Sequence, residues 1–315
     1  MSLDNVFSAI MASIPENGTA DATAQDNTSA RSTSRSSGLN GAASMINRGG
    51  LGHAPNPLQQ PARPQAVTPD EINAALDLYA TQYLPHHPKS LSGIALRSFA
   101  LGNVFLASLA LTTYFLFTSN PTWRAPFFIT SLSLFHFLEF YTTSKANTHS
   151  ANISSFLLSS NGSAYTIAHI SSFLETSLSH YFLPRPLVPA SIHNFALFVG
   201  LALVIMGQGI RATAMLTAGP SFSHIVAHTK KNTHALITTG VYSIFRHPSY
   251  FGYFWWAVGT QLVCGNTVCL LGYVVVLWRF FSRRIEGEEE LLVRFFGDKY
   301  VEYRKGTVVG IPFIT

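Results

Sequence analysis

The sequence is poor in charge. Of its 315 residues, 11% are charged and 47% hydrophobic, and the mean hydropathy is positive. A soluble domain carries about a quarter charged residues, so this chain cannot cover a water-exposed surface, and the lipid bilayer is its better solvent. Cysteine is nearly absent. Cys264 and Cys269 lie in one apolar region and offer neither a disulfide framework nor a metal-ligand set. The usual catalytic signatures are missing as well: there is no Gly-x-Ser-x-Gly, no His-Glu-x-x-His and no P-loop. Gly207-Gln208-Gly209-Ile210-Arg211-Ala212 spells a dinucleotide fingerprint, but it sits inside an apolar helical run and not after a strand, so the phosphate-cradling turn cannot form. The start lacks the basic-then-apolar order of a secretory signal, and the end lacks a prenylation box.

The net charge of +5 is modest, and the basic residues gather late, at Arg279, Arg283, Arg284, Arg294, Arg304 and Lys305. That distribution suits the cytoplasmic rim of a membrane protein better than a nucleic-acid groove. Residues 1–68 are rich in Ser, Ala, Asn, Gly, Gln and Pro and read as a disordered low-complexity tail. Residues 69–90 read as an interfacial segment. Its helix starts at Thr68-Pro69-Asp70-Glu71 and turns Ile72, Ala75, Leu76 and Tyr79 to one side.

Residues 91–215 read as membrane helices and 216–315 as a catalytic region. Apolar runs fall at 98–123, 125–141, 163–183 and 191–210, the last ended by Arg211. Between Arg246 and Arg279 no residue is formally charged, a stretch too long for one span at about 1.5 Å per residue. Gly265-Asn266 divides it into helices at 250–264 and 267–281, giving about six spans in an all-α, polytopic membrane helical bundle. From Arg279 to Lys305 the chain is charged and leaves the membrane as a helix. The loop from Thr217 to Arg246 shares its side, because a helical hairpin returns the chain to where it started.

Two polar stretches meet on that face. One holds His224, His228, His234, Tyr242, Arg246, His247 and Tyr250; the other is Glu286, Glu288, Glu289 and Glu290 beside Arg283 and Arg284. Ionisable groups at a membrane boundary are functional candidates. The alternatives are solvated histidines, an ion-paired helix face and arginines anchored to lipid phosphates. Only His224 and His228 have a helical i, i+4 ligand spacing, and no cysteine lies near them, which argues against a metal site.

Arg246-His247-Pro248-Ser249-Tyr250-Phe251-Gly252 matches Arg-His-Pro-x-Tyr-x-Gly. Downstream, Glu288-Glu289-x-x-Leu292-x-x-x-Phe296-Gly297-x-x-Tyr300-x-x-Tyr303 matches a second block, which Ile311-Pro312-Phe313-Ile314 closes. With Ser131 to His136, Phe222-Ser223-His224 and Thr239-Gly240-Val241-Tyr242, the chain from Ser131 onward resembles the isoprenylcysteine carboxyl methyltransferase family of the endoplasmic reticulum. The resemblance implies S-adenosyl-L-methionine as cofactor, held in a cytosolic-face pocket between the loop before, and the helix after, the C-terminal hairpin. It implies that His234, Ala235, Leu236, Ile237, Tyr242, His247, Pro248, Ser249 and Tyr250 line the cofactor, with His224 and Ala227 in the same loop. It also implies that Glu288 contacts the cofactor, that Arg284 binds the substrate, and that Arg246 joins these two as a catalytic residue. The substrate implied is the prenylated C-terminal cysteine of CaaX proteins, reached from the lipid bilayer. The family often has Gln where this chain has Ala227; Gly287 interrupts the glutamate run, and Thr307-Val308 stands where Val-Pro is usual.

Methyl transfer to a carboxylate suits such residues. The nucleophile is already ionised, so no general base is needed, and the protein must supply alignment and a dry site. Arg284 offers a guanidinium fork, and Phe251, Phe254, Trp255, Trp256 and Trp278 are candidates to receive a prenyl chain. A phospholipid N-methyltransferase of the same superfamily is the competing enzyme. A transporter or scaffold would show internal repeats or ionisable groups at mid-membrane depth; no repeat is found, and the polar groups cluster at one edge.

Overall fold

The structure is a computed structural model and describes residues 68–182, 190–226, 229 and 234–315. The expected tail, apart from Thr68, lies outside the described residues, as do Ala227 and His228. Two compact units divide the chain, with a boundary between Tyr79 and Ala80. Helix α1, Pro69–Thr81, opens on a capping box. The Thr68 hydroxyl accepts from the Glu71 amide at 3.3 Å, and the Glu71 carboxylate accepts from the Thr68 amide at 2.8 Å.

The second unit is helical: α2 (Leu91–Phe117), α3 (Arg124–Ala146), α4 (Gly162–Phe182), α5 (Ala190–Ala218), α6 (Pro248–Cys264), α7 (Val268–Phe296) and α8 (Asp298–Lys305). The described residues contain no strand. Leu91–Phe117 and Ser191–Ser221 are each long and apolar enough to cross a membrane. Phe99, Leu106, Phe117, Phe195, Phe198 and Ile205 face outward from them, fully in the manner of lipid-facing residues. The other long helices fall short of that measure because Ser, Thr, His and charged residues are interspersed along them, and α6 because it has only 17 residues.

Three boundaries differ from expectation. The first span begins earlier and stops at Phe117, where Asn120 caps the turn Pro121–Trp123 by accepting from the Thr122 amide. Helix α5 runs through Arg211 to Ala218, because the Arg211 charge is matched from α3 by Glu139, 2.5 Å away. Helix α7 continues unbroken from the hairpin to Phe296; Gly297, at φ 58°, then breaks the chain direction before α8.

Helices α5 and α6 pack backbone to backbone through two glycine pairs. A Cβ added to Gly207 would lie 2.6 Å from the Gly252 carbonyl, and one added to Gly259 would lie 2.7 Å from the Gly200 carbonyl. The glycine of the false fingerprint is thus a packing residue. At the far end of the bundle, Glu175 on α4 caps α7 in trans: its carboxylate accepts from the amides of Thr267, Val268 and Cys269 at 2.7, 2.9 and 2.7 Å. These are amides a helix start leaves unsatisfied, and an anion suits that end of the helix. Phe254 and Val258 of α6, Phe281 and Ile285 of α7, and Val309 and Ile311 of the C-terminal tail form one core cluster. The tail is held further by a bridge between Phe245 and Val308 and by Trp255 Nε1 donating to the Gly310 carbonyl at 3.1 Å.

Candidate functional site

The Arg-His-Pro turn opens α6, with His247 at the N-cap and Pro248 at the first helical position, where its missing N–H costs nothing. One helical turn on, the Tyr250 hydroxyl donates to Glu288 Oε2 at 2.5 Å and accepts from Arg284 Nε at 2.9 Å. Arg284 also donates from Nη2 to the His224 carbonyl at 2.5 Å. Four residues from two distant stretches, His224, Tyr250, Arg284 and Glu288, therefore meet at one point, on the same side of the bundle.

Two buried carboxylates hold this point from either side. Glu139 receives both Nε and Nη2 of Arg211, at 2.5 and 2.8 Å, and bonds His224 Nε2 at 2.9 Å. Arg211 in turn donates to the Ser249 carbonyl at 3.1 Å. On the exit helix, Glu289 accepts from Arg246 Nε at 2.5 Å, contacts His247 Nε2 at 3.3 Å and takes Arg304 Nη1 at 3.2 Å. Arg246 also donates to the Thr307 carbonyl at 3.0 Å. Burial alone would raise the Glu289 carboxyl, but His247 and Arg246 outweigh it and hold it at about 2. Arg246 and His247 thus face Glu289, one residue from the Arg284–Glu288 point.

The remaining expected site residues lie further out. Tyr242, in the turn Gly240–Ser243, donates to the Ala214 carbonyl at 3.4 Å, and its own carbonyl accepts from Tyr303 at 2.7 Å. The His234–Ile237 stretch has no regular secondary structure and is partly exposed; the Ala235 amide donates to Ser221 Oγ at 3.2 Å. Leu236 lines an open cavity of about 810 Å³ with Thr238, Phe296, Lys299, Glu302 and Tyr303. Among the described residues no group of His, Cys, Asp and Glu is arranged to hold a metal.

A second cavity, of about 430 Å³, begins at the meeting point and descends between α4 and α7. Its polar end is lined by Arg211, His224, Ser249, Tyr250 and Arg284. Its apolar part is lined by Ala164 and Ala168 of α4 and by Gly272, Val276, Leu277 and Phe280 of α7. The aromatic residues expected to receive a prenyl chain lie elsewhere. Phe251, Phe254 and Trp256 are buried in helix packing, and Trp255 and Trp278 bond to the carbonyls of the C-terminal tail.

Sequence reasoning missed Glu139 and Arg211 as parts of the site, and it found Glu289 only as one member of the acidic run. For the first two the signal was present, an acid and a base each interrupting or ending an apolar run, but their pairing spans 72 positions. The glutamate run itself divides: Glu289 is buried, Glu288 half-buried, and Glu286 and Glu290 exposed.

Residues 199–294 match the model of the isoprenylcysteine carboxyl methyltransferase family. The protein-S-isoprenylcysteine O-methyltransferase of Xenopus laevis is 42% identical over 223 residues, 70% of this chain and 74% of that one. The enzyme of the same name from Saccharomyces cerevisiae is 48% identical over 193 residues, 59% of this chain and 79% of that one. A solved structure of the eukaryotic intramembrane Ras methyltransferase superposes with a TM-score of 0.64 at 34% identity, covering 77% of this chain and 84% of that one. The chain is an integral membrane protein and belongs to the isoprenylcysteine carboxyl methyltransferase family.

Proposed function

We infer that the protein methylates the C-terminal carboxylate of a prenylated cysteine on CaaX-processed proteins, taking the methyl group from S-adenosylmethionine at the endoplasmic reticulum membrane. The observation that carries this reading is the Tyr250 hydroxyl, shared between Glu288 and Arg284 where an apolar groove reaches the polar edge of the bundle. A reaction between a lipid-bearing anion and a water-soluble cation needs such a junction. On this reading α3, α4, α6 and α7 cross the bilayer beside α2 and α5, residues 69–90 lie at its surface, and 216–315 carry the chemistry.

The donor set fits the cofactor. Glu288 is half-buried and, among the described residues, takes one hydrogen bond, from Tyr250, which leaves an anionic oxygen to receive an ammonium group. His234, Leu236, Ile237, Tyr242 and His247 supply the surrounding wall. When bound, S-adenosylmethionine offers a methyl group on a sulfonium centre. Arg284 aims its guanidinium at the groove and grips one carboxylate oxygen of the acceptor, leaving the other to attack. The carboxylate replaces the His224 carbonyl as partner of Nη2. Tyr250 keeps the two charged side chains in register, and the groove excludes water from the prenyl side. No residue has to take a proton, because the acceptor is already a carboxylate.

The test is transfer of a labelled methyl group from S-adenosylmethionine to farnesylcysteine, with phosphatidylethanolamine as the competing acceptor. Label entering the phospholipid and not the thioether acid overturns the reading. Arg284→Ala should abolish turnover while the cofactor still binds, and Glu288→Ala should weaken cofactor binding. Full activity in either variant contradicts the assigned role.

A further inference from the structure

Resting on the reading of the groove as the site of the prenyl chain, we propose that Gly272 on α7 sets the longest isoprenyl chain that the protein accepts. Among the described residues, and apart from its own helix, no atom lies within 4 Å of a Cβ placed on Gly272, although the residue lines the groove. The space in front of it is therefore empty of protein and continuous with the cavity below Arg284. At about 1.5 Å per residue, Gly272 lies ~18 Å from Arg284 along the helix axis, and Val268, the last lining residue of α7, lies ~24 Å away.

The substrate can be measured against that ruler. Three bonds separate the carboxyl carbon of cysteine from its sulfur, and each isoprene unit adds four more. With carbon–carbon bonds of about 1.5 Å, an extended chain advances roughly 4 Å to the sulfur and ~5 Å per unit. A three-unit farnesyl tail then ends about 19 Å from the carboxylate, level with Gly272, and a fourth unit extends to about 24 Å, beside Val268. Side chains on a helix tilt toward its N-terminus. A side chain at position 272 would lean away from Arg284 and toward Val268, into the volume the fourth unit fills and past the end of the third. Across the groove at this depth His169 faces Tyr273, their ring centres 5.9 Å apart, which leaves the glycine wall as the place with room.

Gly272→Ala and Gly272→Leu test the assignment in the full-length protein reconstituted in lipid. kcat/KM is measured with farnesylcysteine and with geranylgeranylcysteine, alongside cofactor affinity. Because small volume changes in an apolar pocket discriminate substrates by about 10–200-fold, Gly272→Leu should lower kcat/KM for the geranylgeranyl acceptor at least about tenfold more than for the farnesyl acceptor. Gly272→Ala should shift the ratio less, and cofactor affinity should hold in both variants. Both changes favour the helical state, so unfolding does not mimic the result. Equal losses with the two acceptors, or no loss with either, overturn the role of Gly272. A wild-type protein inert toward both acceptors overturns the methyltransferase reading itself, and the assignment with it.

Discussion

Removing one oxygen atom tests the site most directly. Tyr250→Phe keeps the ring that stacks on His247 and Phe281, with centroids 5.5 and 5.2 Å away, and deletes only the hydroxyl between Glu288 and Arg284. Two hydrogen bonds to charged groups are lost, at 2.5 and 2.9 Å. Each such bond contributes about 1.5–3 kcal/mol where it is made. The cofactor and acceptor recover part of it when they engage the freed charges. A net loss of about 2–3 kcal/mol in the transition state corresponds to a roughly 30- to 150-fold fall in kcat/KM, at about 1.4 kcal/mol per tenfold. The assay is methyl incorporation into farnesylcysteine, with cofactor affinity and thermal stability measured on the same preparation. The expected pattern is a fall in kcat/KM with only a small loss of stability, since the ring packing survives and the half-buried Glu288 and Arg284 take water in place of the hydroxyl. A variant with wild-type kcat/KM would refute the claim that this hydroxyl aligns the two charges. A variant that loses stability in parallel would show that the bond serves the fold and not the reaction.

Three further outcomes follow from the buried charges and the glycine contacts. Glu139→Ala strands Arg211 inside the bundle, a loss of about 3–5 kcal/mol visible as a lower melting temperature in detergent; Glu139→Leu combined with Arg211→Met should recover stability but not turnover, because the Ser249 carbonyl stays unheld. Gly207→Leu should destabilise the protein while Gly209→Leu, facing open space among the described residues, should not, and equal melting temperatures would contradict the close packing of α5 on α6. Glu289 sits at about 2, below its ordinary value of 4.5, so its ion pairs contribute stability in full above pH 4.5 and lose it as the pH falls toward 2; Glu289→Gln should remove that acid limb of an unfolding titration, and an unchanged limb would argue against it.

Periodicity and breakers made the helices legible, because a run of apolar residues bounded by Gly265-Asn266 or capped at Thr68 leaves few other folds. Partners distant in sequence were illegible. Nothing near Glu175 tells that it caps a helix beginning at Val268, and nothing near Glu139 points to His224. On sequence alone Arg211 marks the end of a span, because an unpaired guanidinium cannot stay in lipid; the carboxylate of Glu139 on α3 makes its position within α5 tolerable. The lining of the groove was illegible for a related reason. Aromatic content suggests lipid contact, yet Phe251, Phe254 and Trp256 are consumed by packing, and the open wall comes from small residues such as Ala164, Ala168 and Gly272. Space is a property of what is absent, which composition does not report.

The two buried carboxylates answer why a reaction without a general base needs so many charges. Glu289 pins Arg246 and His247 from the exit helix, and Glu139, through Arg211, pins the Ser249 carbonyl from within the bundle. Tyr250 follows directly on Ser249, so the turn that presents it is fixed from both sides before any ligand arrives. Alignment is the main thing such a site can contribute to an in-line displacement, and alignment set in advance costs nothing during the reaction. Burying ion pairs is a poor way to gain stability. Their position on either flank of one turn makes sense as the cost of holding a hydroxyl, a guanidinium and a carboxylate in register at the edge of the lipid.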